Sequence, residues 1–593
     1  MSELDKKPKF GHELRLLAAS LLSMGVILLW TRFFSPKPPV LPPQANRSAQ
    51  TAPATPGTAT TSSSSSTNSA AALPKGTATG ISAAPATPVN VKPISEEAER
   101  TIVVENDLYR VEFSNRGAVV KSWQLKKYLD DSKPQRVLDV VHPDAAQQTG
   151  GWPFALALDD EQLQSAANGG LYQISTPAST LQAPADAEFS WSDGHLEVTK
   201  HFRFDHTYVV RVETTVKMNG APVTAGLAWL GGFGDLTVSN PAPIDTVSVF
   251  STEGGKLTDI AAKKLEGPEK WTPGVWQGGK DWTGLEDRYF AAAFLPANAA
   301  APGTLETRYW RVFRTVQVDG KDVQEPVPQV ATAGKQPLAL RVYVGPKDYD
   351  DLKKMNPPLH ALVNFGWLEF IADPLFHGLK WLHGYIPNWG WAIVVLTLVI
   401  NILLFPLRIS SYKSTLKMQR VAPEIKQIQD KYKKYTMRDP RKAEMNKEVM
   451  AVYSREGINP VGGCFQMFLQ MPIWIGLNTT LRYAIEMRHA RWFGWITDLS
   501  AKDPYYVLPV IMGLSMYLVS KMTPMTSTDP QQQMMMKIMP VTMAGIFMIS
   551  PISSGLAVYI LTSSLVGILQ QWWLNRTHPV TVAPVKALKG KKA

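Results

Sequence analysis

The 593-residue sequence contains a single cysteine, Cys464. One cysteine excludes a disulfide within the chain and any metal or redox motif that needs several thiolates. The sequence also lacks a GxxxxGK[ST] phosphate-binding loop, a Gly-x-Ser-x-Gly elbow and a His-Glu-x-x-His pair. No ATP-driven pump is therefore indicated, and we expect no cofactor, no metal and no enzymatic activity.

Charged residues are also scarce, at 19% of the chain against roughly 25% in an average soluble protein. The net charge of +11 is unevenly distributed, because residues 351–593 alone carry +14. These basic residues lie beside apolar runs rather than on a soluble domain. Recognition of a specific nucleic-acid sequence is therefore not expected.

Residues 1–35 place basic side chains before an almost uncharged run from Leu16 to Phe34. About 19 apolar residues are enough to cross the hydrocarbon core of a bilayer. A cleaved signal peptide is the alternative, but bulky residues follow the run where a small-residue cleavage site is needed. We predict a signal-anchor transmembrane helix with a cytoplasmic N-terminus, followed by a disordered Pro/Ala/Ser/Thr tether over 36–98.

Residues 99–350 show the alternating pattern of short β-strands. Turn signals such as Asn115-Arg116-Gly117 and Asp319-Gly320 separate the segments. Short strands with few helical stretches are typical of an antiparallel β-sandwich. The predicted strands include Thr101–Glu105, Tyr109–Ser114, His195–Phe204, Tyr208–Lys217, Tyr309–Val318 and Leu338–Val344.

Three histidines, His195, His201 and His206, lie close together in this region. A metal site is conceivable there, but no cluster of acidic ligands joins them. Solvated or edge histidines are the favoured interpretation.

The last third of the chain is apolar and basic. Residues 360–386 are amphipathic and rich in Trp and Phe, as expected of a helix in the membrane interface. Residues 387–576 contain five apolar runs, which make six crossings with the N-terminal span. Lys and Arg accumulate over 408–460 and in the tail 577–593, so we predict that both are cytoplasmic and that the β-domain is periplasmic. The predicted core spans are about 388–407, 461–484, 505–521, 537–551 and 552–574.

The cytoplasmic segment 411–457 has a heptad seam that runs from Met418 to Tyr435, and a second seam follows Asp439-Pro440. This pattern predicts a helical hairpin rather than a solvated charged loop. The whole sequence therefore predicts a polytopic α-helical membrane protein with six transmembrane helices, a five-helix core, a large periplasmic antiparallel β-sandwich domain and a cytoplasmic helical hairpin.

Several motifs of the chain resemble the YidC membrane-protein insertase family of Gram-negative type. The motifs occur in the family's order and extend over nearly the whole chain outside the tether. In the apolar region they are Asn388-Trp389-Gly390, Phe405-Pro406-Leu407, the stretch 459–464, Gln470-Met471-Pro472-Ile473, the stretch 503–509, Lys521-Met522-Thr523-Pro524 and Gln570-Gln571. In the β-domain they are Glu286-Asp287-Arg288-Tyr289-Phe290 and Phe113-Ser114-Asn115-Arg116-Gly117.

The resemblance implies a membrane insertase and chaperone that moves hydrophobic segments of nascent proteins from the cytoplasm into the bacterial inner membrane. It implies a hydrophilic groove, no nucleotide, and action alone or with the Sec translocon. The implied partners are nascent membrane proteins, the Sec translocon, the ribosome and signal recognition pathway, and membrane lipids.

Polar residues within the apolar spans are the candidates for the groove. Thr397, Asn401 and Arg408 lie within about 40° of one helix face at ~100° per residue. Gln466 and Gln470 share a face of the next span, and so do Ser563 and Gln570 of the last. Hydrogen bonding between helices inside the bundle is the alternative role for each of them.

Asn401 departs from the family pattern, because the resemblance implies an arginine at this position. Arg408 lies on the same face about 10 Å nearer the cytoplasm. It could replace the family's charge or lie at the headgroups, and the headgroup interpretation is slightly favoured. The sequence therefore favours a groove that works through hydration at Asn401.

Two other functional classes remain open. A secondary transporter or channel needs a pathway through both leaflets and usually has repeated halves, but the sequence shows no repeat. A membrane-anchored carbohydrate-active enzyme needs paired catalytic side chains in the β-domain, and none has a convincing spacing.

Overall fold

The computed structural model describes most of the chain beyond residue 91, with side chains throughout except at Trp367 and residues 465–469. The predicted signal anchor, most of the tether, most of the span at 537–551 and nearly all of the basic tail lie outside the described residues. The described ranges are 92–237, 247–266, 276–298, 303–318, 320–435, 439–458, 465–523, 534, 538–539, 542–543, 545–548 and 552–578.

The first half of the described chain is built from β-strands, with two short helices, α1 (Pro143–Thr149) and α2 (Glu161–Gly169). The strands are β1 (Thr101–Glu105), β2 (Tyr109–Ser114), β3 (Val119–Leu129), β4 (Val137–Asp139), β5 (Ala155–Ala157), β6 (Gln173–Ile174), β7 (Thr180–Gln182), β8 (Ala185–Ser192), β9 (Leu196–Phe204), β10 (Val209–Met218), β11 (Ala221–Pro222), β12 (Gly226–Trp229), β13 (Ser248–Glu253), β14 (Lys256–Ala261), β15 (Gln277–Lys280), β16 (Trp282–Glu286), β17 (Phe290–Pro296), β18 (Leu305–Val318), β19 (Lys321–Ala333) and β20 (Leu338–Pro346).

These strands form three sheets around one apolar core. The largest has the order β14-β13-β16-β17-β20-β10-β9-β8-β6, with β11 paired to β10. The others have the orders β4-β3-β2-β1-β7 and β15-β18-β19-β12-β5. Alternate residues of the long strands point inward, and Trp123, Phe202 and Trp229 are fully buried among them.

All six strands predicted from alternation are present, and the first two have the predicted bounds. The expectation of a purely antiparallel domain was wrong at one edge, where β1 and β7 pair in parallel. About 75 residues of chain separate these two strands, and such a distant strand can approach an edge in either direction. The last part of the predicted tether also contacts the domain, because Ile94 forms a bridge with Ser192.

The second half of the described chain is helical. Its α-helices are α3 (Tyr349–Lys354), α4 (Glu369–Tyr385), α5 (Trp389–Lys431), α6 (Arg441–Arg455), α7 (Phe465–Tyr483), α8 (Val507–Met522) and α9 (Ser554–Thr577). Short 3-10 turns occur at Ala262–Lys264, His360–Leu362, Gly366–Leu368 and Ile485–Met487. Among the described residues, α5 and α9 are long and apolar enough to cross a membrane, and α8 is a shorter apolar helix.

Helix α5 is longer than the sequence suggests. A span that ends near 407 and a separate hairpin helix are expected, yet one helix continues through Pro406 and Pro423. Each proline removes one intrahelical hydrogen bond, but buried residues on both sides of each proline hold the helix in one piece. The first half of the expected seam packs against α6, with Val421, Ile425 and Val452 in one apolar cluster.

Side-chain contacts fix where helices α5 and α8 begin. The Asn388 side chain accepts a hydrogen bond from the Trp391 amide at the start of α5. Gly390 is required two residues after Asn388, because a Cβ there would lie 2.0 Å from the Trp492 ring. The Asp503 carboxylate accepts from the Leu508 amide at 2.6 Å and from the Trp495 indole, which positions the start of α8.

The motif 286–290 connects the β-domain to the helices. Glu286 forms a buried ion pair with Lys347 at 2.9 Å, and Asp287 accepts hydrogen bonds from the Tyr289 and Phe290 amides. The Arg288 guanidinium donates to the Arg482 carbonyl oxygen at the end of α7. The motif therefore turns the chain between two central strands and joins the sheet to the helical region.

Candidate functional site

A cavity of about 350 Å³ lies among α5, α7, α8 and α9, and we call it the groove. Its walls are partly apolar and partly polar, because α5 and α8 supply apolar side chains whereas α7 and α9 present mainly polar ones. The lining residues are Asn401, Leu404, Leu407, Arg408, Gln470, Met516, Val519, Ser520, Ser563, Ser564, Gly567 and Gln570.

Hydrogen bonds join the polar residues of α5 and α9 across the groove. Arg408 Nη1 donates to Gln570 Oε1 at 2.8 Å, and Arg408 Nη2 donates to the Gly567 carbonyl at 3.4 Å. The Gln570 amide in turn donates to the Asn401 carbonyl at 3.3 Å. These contacts hold the arginine side chain against α9 and leave it in the wall of the cavity.

A second polar contact links α7 and α9, where Gln470 Nε2 donates to the Tyr559 hydroxyl at 3.1 Å. Gln470 is half-buried, and Tyr559 is buried in the core of the helical region. The amide is therefore held by a partner on a neighbouring helix while it still lines the groove.

The groove is electropositive, because its lining residues include Arg408 and no acidic side chain. Among the described residues, no carboxylate forms an ion pair with Arg408, whose guanidinium donates to an amide oxygen and a carbonyl oxygen. Neutral partners stabilise a guanidinium without cancelling its charge. The arrangement can therefore attract an acidic group and keep water inside an otherwise apolar bundle.

The structure brings together five of the seven residues expected to line a groove: Asn401, Arg408, Gln470, Ser563 and Gln570. Thr397 does not line the cavity, because it is fully buried and its hydroxyl donates to the Ile393 carbonyl of its own helix. The Gln466 side chain lies outside the described residues.

The sequence reasoning missed Tyr559, Ser564 and the contribution of α8. Gly567 was also missed, although it lies between Ser563 and Gln570 on one face at helical spacing. That spacing was a usable signal for a surface of small and polar residues. The contact of Gln470 with Tyr559 had no such signal, since it depends on how two helices pack.

A group of potential metal ligands, Asp131, His489 and Asp498, lies at the contact between the β-domain and the helical region. His489 Nε2 lies 2.7 Å from Asp131 Oδ1, which is a hydrogen-bond distance, and Arg488 Nη2 lies 3.7 Å from the same oxygen. The ion pair and the hydrogen bond keep the pKa of Asp131 below its usual value. The group therefore acts as a contact between two parts of the chain.

Comparison with known proteins gives two family matches, which together extend over most of the chain. Residues 101–378 match the YidC periplasmic domain, and residues 381–581 match the 60Kd inner membrane protein family.

Individual relatives match over nearly their full length. A membrane protein insertase YidC from Syntrophus aciditrophicus is 32% identical over 579 residues, which covers 94% of this chain and 99% of the relative. Another, from Cupriavidus taiwanensis, is 30% identical over 587 residues and covers 94% and 96%. The crystal structure of YidC from Thermotoga maritima aligns with 80% of this chain and 98% of its own, at 14% identity and a TM-score of 0.28.

Proposed function

The chain belongs to the YidC family of membrane protein insertases, and from this premise we propose that it moves hydrophobic segments of nascent proteins from the cytoplasm into the inner membrane. The groove is the proposed substrate path, and no nucleotide is used. The observation that carries this proposal is a half-polar cavity with an arginine in its wall, among helices apolar enough for a bilayer.

The physical argument concerns the polar flank of a substrate. A hydrophobic span gains free energy when it enters lipid, but its flank must first cross an apolar layer. A charge at the centre of a bilayer costs about 2.5–3.5 kcal/mol on insertion scales. A wet groove through part of the bilayer shortens the apolar path and lowers this barrier. The membrane potential, acting on charged flanks, supplies further drive.

We further propose six transmembrane helices, both termini in the cytoplasm and the β-domain in the periplasm. The excess of Lys and Arg over 408–460 supports this orientation. In this topology the far end of α5 and helix α6 form a cytoplasmic hairpin, and their shared apolar cluster supports a stable unit. Its basic outer surface and the basic tail suit ribosomes, which present RNA phosphate. The Sec translocon and signal recognition pathway are the other proposed partners.

Helix α4 is the proposed interfacial helix. Its inner side packs Ala372, Phe376 and Leu379 against neighbouring elements, whereas Phe370 and Trp381 are exposed. Aromatic side chains of this kind suit the boundary between lipid and water. The helix is therefore placed to set the depth of the core in the bilayer.

Arg408 is the residue that we propose carries the positive charge of the groove. The sequence alone slightly favours the headgroups for this side chain and hydration at Asn401 as the working principle. The contact with Gln570 inside the cavity and the absence of an acidic partner among the described residues support the charge instead. Asn401, about two helical turns before Arg408 on α5, then contributes by keeping the groove polar.

The test compares insertion of an acidic-flanked client and a neutral-flanked client, measured by protease protection. We expect Arg408→Gln to reduce insertion of the acidic-flanked client severalfold more than that of the neutral one. The double variant Asn401→Arg/Arg408→Gln restores a charge to the same face and should recover part of the loss.

Lys413→Gln is the matched control, because it removes the same charge from an exposed position on the same helix. Equal loss in Arg408→Gln and Lys413→Gln would assign the effect to membrane topology and contradict the proposal. Asn401→Leu could instead reduce insertion strongly while Arg408→Gln reduces it little with both clients. In that case the groove acts through its hydration, and the proposed role of Arg408 is wrong.

A further inference from the structure

A second cavity, of about 460 Å³, lies on the outer face of the ten-stranded sheet, far in sequence from the groove. It lies over strands β9, β10 and β20, and Ala297, which follows β17, lines one side. Its lining is unusually basic for the surface of a sheet. The lining residues are His201, Arg203, Arg211, Val212, Glu213, Ala297, Ala339, Leu340 and Arg341.

Three of these residues form a row across neighbouring strands, and we call it the arginine row. Arg203 of β9 is directly opposite Arg211 of β10, and Arg211 is directly opposite Arg341 of β20. Neighbouring strands lie about 4.8 Å apart, so the row extends across roughly 10 Å. Like charges directly opposite each other destabilise a sheet. The row therefore lowers the stability of the domain unless something neutralises it.

The carboxylates nearby neutralise little of this charge. Asp186 faces the outer end of the row, 3.7 Å from Arg203 and 3.8 Å from His201, and it is largely exposed. Exposed pairs at such distances contribute little. Glu213 lines the cavity two residues after Arg211 on β10, opposite His201. Among the described residues, Arg211 forms no ion pair.

Arg341, at the inner end of the row, has a guanidinium donor without a hydrogen-bond acceptor. Its Nε donates to the Pro296 carbonyl at 3.2 Å, while its Nη2 is buried and has no hydrogen-bond partner among the described residues. Burial and the neighbouring Arg211 lower the pKa of Arg341. A buried guanidinium nitrogen without an acceptor is costly, and Arg341, which lines the cavity, retains donor capacity for an oxyanion there.

We propose that the arginine row is a binding site for an anion that carries phosphoryl groups, with Arg211 and Arg341 as its principal ligands. The planar guanidinium fork matches phosphoryl oxygens in a bidentate manner. The row is long enough for two adjacent phosphoryl groups, one for each pair of neighbouring arginines. A small phosphorylated molecule and the headgroup of an anionic phospholipid share this chemistry.

The test measures binding of inorganic pyrophosphate to the full chain in nanodiscs of phosphatidylcholine, by isothermal titration calorimetry. We expect saturable binding that weakens with salt. Arg211→Gln and Arg341→Gln should each weaken it about tenfold or more, as loss of a charge-assisted bidentate contact predicts. Arg211→Lys keeps the charge without the fork and should lie between the wild type and Arg211→Gln.

Lys217→Gln is the matched control, because Lys217 is exposed on the same strand and the same face but about 20 Å from Arg211. Circular dichroism of each variant checks that the sheet is intact. Absence of pyrophosphate binding, or equal weakening in Lys217→Gln, would overturn the proposal.

A second arm identifies the source of the phosphoryl group. Nanodiscs with added phosphatidylglycerol are compared with phosphatidylcholine alone, and retained lipid is counted by native mass spectrometry. If the site takes lipid headgroups, phosphatidylglycerol competes with pyrophosphate, and Arg341→Gln retains less of it. If the site takes a soluble ligand, pyrophosphate binds equally well in both kinds of nanodisc. Either result supports the site and identifies which kind of molecule carries the bound phosphoryl group.

Discussion

The ion pair between Lys347 and Glu286 is nearly removed from water, with side chains 4% and 9% exposed. Burial raises the pKa of Glu286, and Lys347 opposes that shift. We expect Lys347→Met to destabilise the β-domain by about 3–5 kcal/mol, because it leaves a buried carboxylate without its partner. Chemical denaturation of the purified full chain, followed by tryptophan fluorescence, measures the loss.

The pH dependence of this variant tests the cause. Without Lys347, the folded-state pKa of Glu286 lies further above its unfolded value, so the folded state binds the additional proton. Stability then falls as pH rises through the raised pKa, and the deficit at about pH 7.5 should shrink toward about pH 5. Lys335→Met removes an exposed lysine before the start of β20, at the opposite end of that strand from Lys347, and should have little effect. Two outcomes would contradict this interpretation. One is a loss of stability that does not change with pH. The other is a double variant, Glu286→Leu/Lys347→Met, that loses as much stability as Lys347→Met alone.

At the scale of single elements, Gly567 of α9 sets how closely Arg408 approaches the helix. A Cβ at this position would lie 3.5 Å from both terminal guanidinium nitrogens, which is an ordinary contact distance. We therefore expect Gly567→Ala to keep insertion near the wild-type level. Gly567→Leu should displace Arg408 and fill the groove, and it should reduce insertion of both acidic-flanked and neutral-flanked clients. Full activity of Gly567→Leu in the protease-protection assay would show that this part of the cavity is not used.

Individual strands and helices show which features the sequence can and cannot predict. The alternation of β1, β2 and β9 is strong because one face of each strand is buried, and their positions follow from it. Strand β7 has only three residues and no pattern of its own, so its parallel pairing with β1 could not be predicted. Helix α5 was divided in the prediction at the point where the apolar run changes to charged residues. Packing against other helices continues one helix across that change.

The groove also has a part that the sequence predicts and a part that it does not. Asn401 and Arg408 are seven residues apart, which fixes them on one face of any helix. Their partners Gln570 and Gly567 come from a helix about 160 residues later in the chain. Periodicity cannot supply such a contact, since it depends on which faces meet. This is also why the sequence left two roles open for Arg408, whose side chain lines the cavity in the structure.

For the whole molecule, the β-domain and the helical region share one apolar cluster rather than meeting through a linker alone. Phe250, Leu295 and Tyr343 of the sheet belong to the same cluster as Phe376 and Leu477 of the helices. Polar contacts reinforce it at the loop after α7, where His489 bonds to Asp131. A domain attached in this way should move with the helices as a unit, and its contacts should contribute to the stability of the core.

Arg488 is the polar centre of this contact, and its removal tests whether the contact is rigid. The guanidinium forms an ion pair with Asp235 in which both side chains are at most 4% exposed, and Asp131 lies 3.7 Å away. We expect Arg488→Met to leave Asp235 buried without a partner and to loosen the contact, so that amide hydrogen exchange increases over both 130–137 and 485–499. Arg491→Met is the control, since Arg491 is exposed on the same loop.

The groove is lined by residues of α5, α7, α8 and α9 and not by this loop, so insertion of a neutral-flanked client should change little in Arg488→Met. Unchanged exchange in Arg488→Met would show that the apolar cluster alone holds the two parts together, whereas complete loss of insertion would mean that the groove depends on the position of the β-domain.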